Sequence, residues 1–306
     1  MVLRTRVVTF CLCAALASAG IATDTQRTVV AKKDLAGAER MVKEYRKAQP
    51  DTPEVAAAVS WLARGALFAK DYDKADAYAE EARKMALEML KGHKLDDDKW
   101  LPTALGASEE VHAQVLGARG ENDQAVEFLK ADLKVFANTS LPERINKNIN
   151  LLSLEGKPAP ALNADVWFGS KPPSLVSLKG HPVVLFFWAH WCPDCKAEIG
   201  ILAKVMQEYG PKGVALVGPT KYYGYTAHGQ DATPEVEKPY IDQVRQQFYA
   251  PLGDMPAPLD NANFANYGAS TVPTLVIIDK KGIVRLYHPG NLTEQELTAQ
   301  LDPLLK

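Results

Sequence analysis

Cysteine is scarce in this sequence and unevenly placed. Of the four, Cys11 and Cys13 lie near the start, and Cys192 and Cys195 stand two residues apart in the second half. So small a complement excludes a disulfide scaffold. A structural zinc site takes about four ligands, and no histidine pair near Cys192 has ligand spacing, so no metal and no other cofactor is expected. Beyond the first residues no run approaches the ~20 apolar residues that span a bilayer. An excess of positive charge is also missing. The formal net charge is -2, which leaves no electrostatic case for nucleic-acid binding. Glycine and proline are thin between residues 25 and 150, which argues against a β-rich first half.

What is present begins with the N-terminus. Arg4 and Arg6 precede an apolar run from Val7 to Leu16, followed by the small residues Ala17, Ser18, Ala19 and Gly20. A positive start, a short apolar stretch and an Ala-x-Ala site describe a secretory signal peptide. Cleavage is expected after Ala19, with Ala22 as the other candidate; a buried helix or a retained anchor is the competing explanation. Cleavage makes the protein periplasmic or extracellular. It also removes Cys11 and Cys13, leaving one cysteine pair.

Residues from about 25 to 150 read as helical, rich in Ala, Glu, Lys and Leu. Apolar residues recur at helical spacing through Trp61, Leu62, Leu67, Phe68, Ala75, Ala79 and Ala82. Lys70-Asp71-Tyr72-Asp73 fits a tight connection between antiparallel helices. The pattern resembles a tetratricopeptide hairpin. A weaker second copy runs from Glu109 to Phe136, with a turn at Gly120-Glu121-Asn122 and Ala125 matching Ala75. The copies are 50 residues apart instead of ~34, so Asp96 to Gly106 is expected to be an insertion. The alternative is an irregular bundle with Trp61 and Phe68 in its core.

A boundary is expected at Gly156-Lys157-Pro158-Ala159-Pro160, giving a signal segment 1–19, a helical domain 20–151 and a second domain 152–306. In the latter, Pro182 to Trp188 is a continuous apolar run suited to a buried central strand. A helix over Cys195–Tyr209, a strand over Gly213–Val217 and a helix over Glu235–Phe248 follow. Strands at Thr274–Ile278 and Ile283–Tyr287 flank a Lys280-Lys281-Gly282 turn. A last helix, Leu292–Leu305, has Thr293 as cap and Glu296 three residues on. This order is a three-layer α/β pattern with a mixed central sheet.

The chemistry centres on His190-Trp191-Cys192-Pro193-Asp194-Cys195, where a buried strand hands over to a helix. Cys192 falls at the helix entrance with Pro193 in the first turn. Unpaired N–H groups and the positive helix end favour its thiolate. Cys195, one turn in, can close a disulfide with Cys192 or resolve a mixed one. A zinc site, a purely structural disulfide and an inactive domain are the competing explanations.

At these residues the sequence resembles the thioredoxin superfamily, and within it the exported TlpA/ResA-like thiol–disulfide oxidoreductases. The lead-in Gly156–Pro160 with Ser177-Leu178-Lys179-Gly180 is similar to that branch's N-terminal hairpin. Glu198 matches an acidic residue past the CxxC, Thr271-Val272-Pro273-Thr274 the cis-proline loop, and Asp279–Val284 the next hairpin. The resemblance covers residues 156–306. It implies Cys192 and Cys195 as the catalytic dithiol and a cis Val272–Pro273 bond. Trp191, Val272 and Pro273 then face an extended client, supported by Pro193, Asp194, Glu198 and His190. The implied partners are client protein thiols or disulfides and an unidentified redox partner. The helical domain is a candidate for holding a protein partner; a binding module with an inactive thioredoxin-like platform is the second functional class. Two departures stand out. Phe186 replaces the buried aspartate six residues before the first cysteine, leaving Glu198, His190 or water as proton acceptor. Residues 219–263 form an extended segment whose Tyr222, Tyr223, Tyr225 and His228 either face substrate or cover the sheet.

Overall fold

The computed structural model describes residues 20–306, so the expected signal segment, with Cys11 and Cys13, lies outside the described residues. The chain divides into two compact units, one ending at Ser108 and the other running from Glu109 to Lys306.

The first unit is helical: α1 (Ile21–Val30), α2 (Leu35–Ala48), α3 (Pro53–Phe68) and α4 (Tyr72–Met89), followed by the start of α5 (Leu101–Ala118). Local signals set these ends. Thr52 caps α3 by accepting from the Val55 N–H, with Pro53 at its start. Asp71 caps α4 by accepting from Lys74. Lys70 between them takes the left-handed conformation, with φ of 59°. Ala75, Ala79, Ala82 and Ala86 form the buried stripe of α4, so α3 and α4 pair closely through small side chains. At Gly65 a side chain would meet Val29 and Leu35 within about 3.0 Å, so this glycine permits the close approach of α3. The irregular-bundle alternative puts Trp61 and Phe68 in the core, and the structure does not. Phe68 is 64% exposed and Trp61 is only half-buried, its ring covered by the Arg64 guanidinium at 4.5 Å. Alanines, not aromatics, fill this core. The expected Asp96–Gly106 insertion is also shorter, because α5 begins at Leu101.

The second unit continues with α6 (Asn122–Val135), which starts at the expected turn, and α7 (Pro142–Ser153). A four-stranded mixed sheet follows, in the order β3 (Ala215–Val217), β2 (Val183–Phe187), β5 (Thr274–Ile278), β6 (Val284–Pro289). β2 runs parallel to β3 and antiparallel to β5. Every residue of β2 and β5 is buried, as a strand covered on both faces requires. Val184, Phe186 and Trp188 enter one core with α8 (Pro193–Tyr209), α9 (Pro234–Phe248) and α11 (Glu294–Leu305). Val183, Leu185 and Phe187 enter the other with α10 (Asn261–Tyr267). Thr293 and Glu296 cap α11 reciprocally, as expected.

The lead-in does not close a hairpin on itself. Residues 156–159 run beside β6 and its turn, with Val284 donating to the Lys157 carbonyl at 2.9 Å. The short β1 (Trp167–Phe168) pairs with β4 (Ala257–Pro258), more than 80 residues on. α7 packs on α10, and Lys221 bonds Glu143 at 2.6 Å. No helix among the described residues is long and apolar enough to cross a membrane.

Candidate active site

The dithiol sits where β2 ends and α8 begins. Ala189 to Cys192 make a tight turn, closed by the Cys192 N–H to the Ala189 carbonyl at 3.2 Å. Cys192 is the residue that caps α8, and its Sγ accepts from the Cys195 N–H at 3.0 Å. Pro193 opens the helix, where a missing N–H costs nothing. Cys192 and Cys195 form a disulfide with Cα atoms 5.3 Å apart. Cys192 is 2% exposed and Cys195 0%, so the pair is buried almost equally; access alone does not separate them. What does differ is the local field, because the helix-end N–H points at Cys192 Sγ.

The remaining expected residues divide into those at the sulfur and those beside it. Val272–Pro273 is cis, and the Val272 carbonyl oxygen lies 3.5 Å from Cys192 Sγ. Trp191 is 44% exposed, its ring edge-on to Tyr223 at 5.5 Å. Pro193 and Asp194 are exposed. Trp188 is core filling: it is fully buried, donates from Nε1 to the Gly218 carbonyl at 2.9 Å and lies tilted against Tyr249.

Glu198 is buried and bonds away from the sulfurs. It accepts from Asn291 Nδ2 at 2.6 Å and from the Leu292 N–H. Burial pushes its carboxyl above the ordinary range, and those two bonds offset only part of the effect. Asn291 also donates to the Asp194 carbonyl at 2.9 Å, tying the first turn of α8 to the loop before α11. A lone asparagine nearly a hundred positions downstream carries no sequence signal for that role.

His190 is 1% exposed, and its Nε2 lies 3.2 Å from Glu237 on α9. Glu237 is fully buried and also accepts from the Tyr223 and Gly224 N–H groups, at 2.6 and 2.8 Å. Rings of Tyr223, Tyr225 and Tyr240 stand edge-on around the imidazole at 5.3–5.5 Å. Within the extended segment, Tyr223 and Tyr225 therefore pack on the active-site turn, while His228 is exposed. Glu237 was invisible in the sequence, since an acidic residue in the first turn of a helix reads as solvated. Phe186 fills the missing aspartate's place, fully buried and tilted against Tyr249.

Residues 155–287 match the AhpC/TSA family model. The chain is 32% identical over 151 residues to the thioredoxin-like protein YneN of Bacillus subtilis, covering 48% of this chain and 79% of that protein. It is 29% identical over 154 residues to the thiol:disulfide interchange protein DsbE of Haemophilus influenzae, covering 50% and 75%. It is 29% identical over 148 residues to the thiol–disulfide oxidoreductase ResA of Bacillus thuringiensis, covering 48% and 76%. The strand-to-helix turn, the cis-proline loop and these similarities coincide on one stretch, and through it the chain belongs to the thioredoxin-like family of thiol–disulfide oxidoreductases.

Proposed function

We propose that the protein is exported and exchanges disulfides with client proteins through Cys192 and Cys195, reduction being the favoured direction. The observation that carries this reading is the closed Cys192–Cys195 pair at the start of α8, beside the Val272 carbonyl. In the reduced protein the Cys192 thiolate attacks one sulfur of a client disulfide. The client S–S bond breaks, and Cys192 is joined to the client. Cys195 then attacks Cys192, the mixed disulfide breaks, and the client leaves with two thiols. Trp191, Val272 and Pro273 form the edge along which an extended client strand pairs. Glu198 and Asn291 hold the first turn of α8. The direction follows from charge: Asp194 in the first turn opposes the thiolate that the helix end favours. The balance points nearer to thioredoxin's potential of ~-270 mV than to DsbA's ~-120 mV.

Export is supported by Arg4, Arg6 and the apolar run. α1 starts at Ile21, which is buried together with Ala22. Cleavage after Ala19 keeps α1 whole, whereas cleavage after Ala22 removes two buried residues. The helical part, assigned here to residues 20–151, is proposed to hold a protein partner on tetratricopeptide-like hairpins. The alanine stripe of α4 and the matching turns at Lys70 and Gly120 support that likeness.

Insulin reduction driven by dithiothreitol tests the central reading. Turnover by the wild type that vanishes in Cys192→Ala is expected. Turnover equal in both would make the domain an inert platform. Titration against glutathione tests direction; a potential above about -150 mV would reverse it.

A further inference from the structure

The buried polar side chain closest in sequence to the dithiol is the imidazole of His190. Its ring has no exposed edge, and one nitrogen faces the Glu237 carboxylate. Three donors converge on that carboxylate, two of them backbone N–H groups of residues 223 and 224. The carboxylate can only accept, so the proton on the His190 ring sits at Nε2. In the neutral ring Nδ1 is then a bare acceptor. It is buried and has no partner. The Tyr223 hydroxyl in the same aromatic cluster is likewise buried and unpartnered. A carboxylate-anchored imidazole with an empty second nitrogen is a group built to take up a proton. It stands in the turn that the Cys192 N–H closes onto Ala189.

We propose that His190 is the proton-holding residue of the Cys192–Cys195 dithiol, and that Glu237, carried by the extended segment, makes it so. The inference rests on the dithiol being the working group. In the reduced protein the proton lost by the Cys192 thiol resides on His190 Nδ1, giving an imidazolium two residues from the thiolate and held at its other nitrogen by Glu237. When the client is reduced, two electrons leave with the closing of the Cys192–Cys195 bond. One client thiolate takes the proton of the imidazolium and the other that of the Cys195 thiol, and His190 returns to the neutral ring with Nδ1 empty. That is the arrangement found here with the disulfide closed. The extended segment thus replaces the acceptor lost where Phe186 stands. Burial, aided by the positive charge of Lys196, pushes His190 below the ordinary imidazole range against the pull of Glu237. The other groups facing it are Tyr223, Tyr225 and Tyr240. A neutral resting ring follows, and it needs the thiolate to charge.

Coupled groups shift each other equally, so the imidazole must respond to the redox state. The test follows the His190 ring proton by NMR against pH, in the oxidised and in the dithiothreitol-reduced full chain. His190→Gln identifies the resonance. The expected midpoint is higher in the reduced protein by at least about half a pH unit, and the difference disappears in Cys192→Ser. Glu237→Gln should lower the midpoint in both states. It should also turn the two-step pH profile of Cys192 alkylation into a single step. Coincident midpoints in the two redox states would overturn the proposal, and the wild-type comparison decides this even if Glu237→Gln fails to fold. A chain that shows no dithiol cycling in the insulin assay would defeat the functional reading itself. Cycling with coincident midpoints would defeat only this inference.

Discussion

The two units bury polar atoms in opposite ways. In the first, three buried hydroxyls bond back within their own helix: Thr25 to the Ile21 carbonyl, Ser60 to Ala57 and Ser108 to Leu105, at 2.7–2.8 Å. Such bonds satisfy a side chain without constraining the tertiary fold. In the second unit the buried groups include ionisable ones whose partners are far away in sequence. His190 meets Glu237 across 47 positions and Glu198 meets Asn291 across 93. A charged group out of water is tolerated only where specific partners await it. The first unit is thus a shape held by small apolar contacts, while the second accepts costly burial of ionisable groups, His190, Glu198 and Glu237 among them beside the dithiol.

Four outcomes bear on the contrast. The largest concerns the dithiol. With Cys195→Ala the mixed disulfide lacks its internal resolving thiol and accumulates, whereas Cys192→Ala leaves little adduct. Non-reducing gels and mass spectrometry of trapped clients read this; the reverse pattern would exchange the two roles. Next, Ala79→Leu forces a side chain into the closed α3–α4 seam and should cost about 1–3 kcal/mol. Urea midpoints should fall with insulin turnover per folded molecule unchanged; lost turnover would show that the helical unit shapes the site.

A fragment of residues 152–306 is expected to fold and to keep dithiol activity on insulin, in line with the boundary proposed at 151/152. It loses the packing of α7 on α10, the Asn146–Ala265 and Asn150–Asn266 bonds and the Glu143–Lys221 pair. With Lys221 and Glu143 each partly exposed, their loss is worth about 1 kcal/mol or less, or ~2–4 °C in Tm. An insoluble fragment would move the boundary to before α7. The smallest effect belongs to Glu198→Gln. Burial raises the folded-state pKa of Glu198 above its ordinary value of 4.5. The folded chain then holds a proton that the unfolded chain has released, so Glu198 lowers stability as pH rises through 4.5 toward the folded pKa. Glu198→Gln should flatten the decline of the urea midpoint over that window, and an unchanged slope would assign the decline elsewhere.

Sequence alone determined what depends on near neighbours. Two apolar runs predict β2 and β5, because strands buried on both faces leave no room for alternation. Cys192-Pro193 marks the start of α8, since a proline is harmless only in the first turn. Thr293 with Glu296 marks the start of α11 by reciprocal capping. The alanines of α4 mark its buried stripe by their spacing alone. The cis bond at Val272–Pro273 was expected from a motif, not from composition. Tertiary structure alone decided the rest. It exposed Phe68 and half-exposed Trp61, because alanine-lined helices pack too closely to admit large rings. It joined β1 to β4 across more than 80 residues. It placed Glu237 beneath His190 and Asn291 against Glu198. A glutamate reads the same in sequence whether water or an imidazole receives it, and only the path of the chain between them determines which.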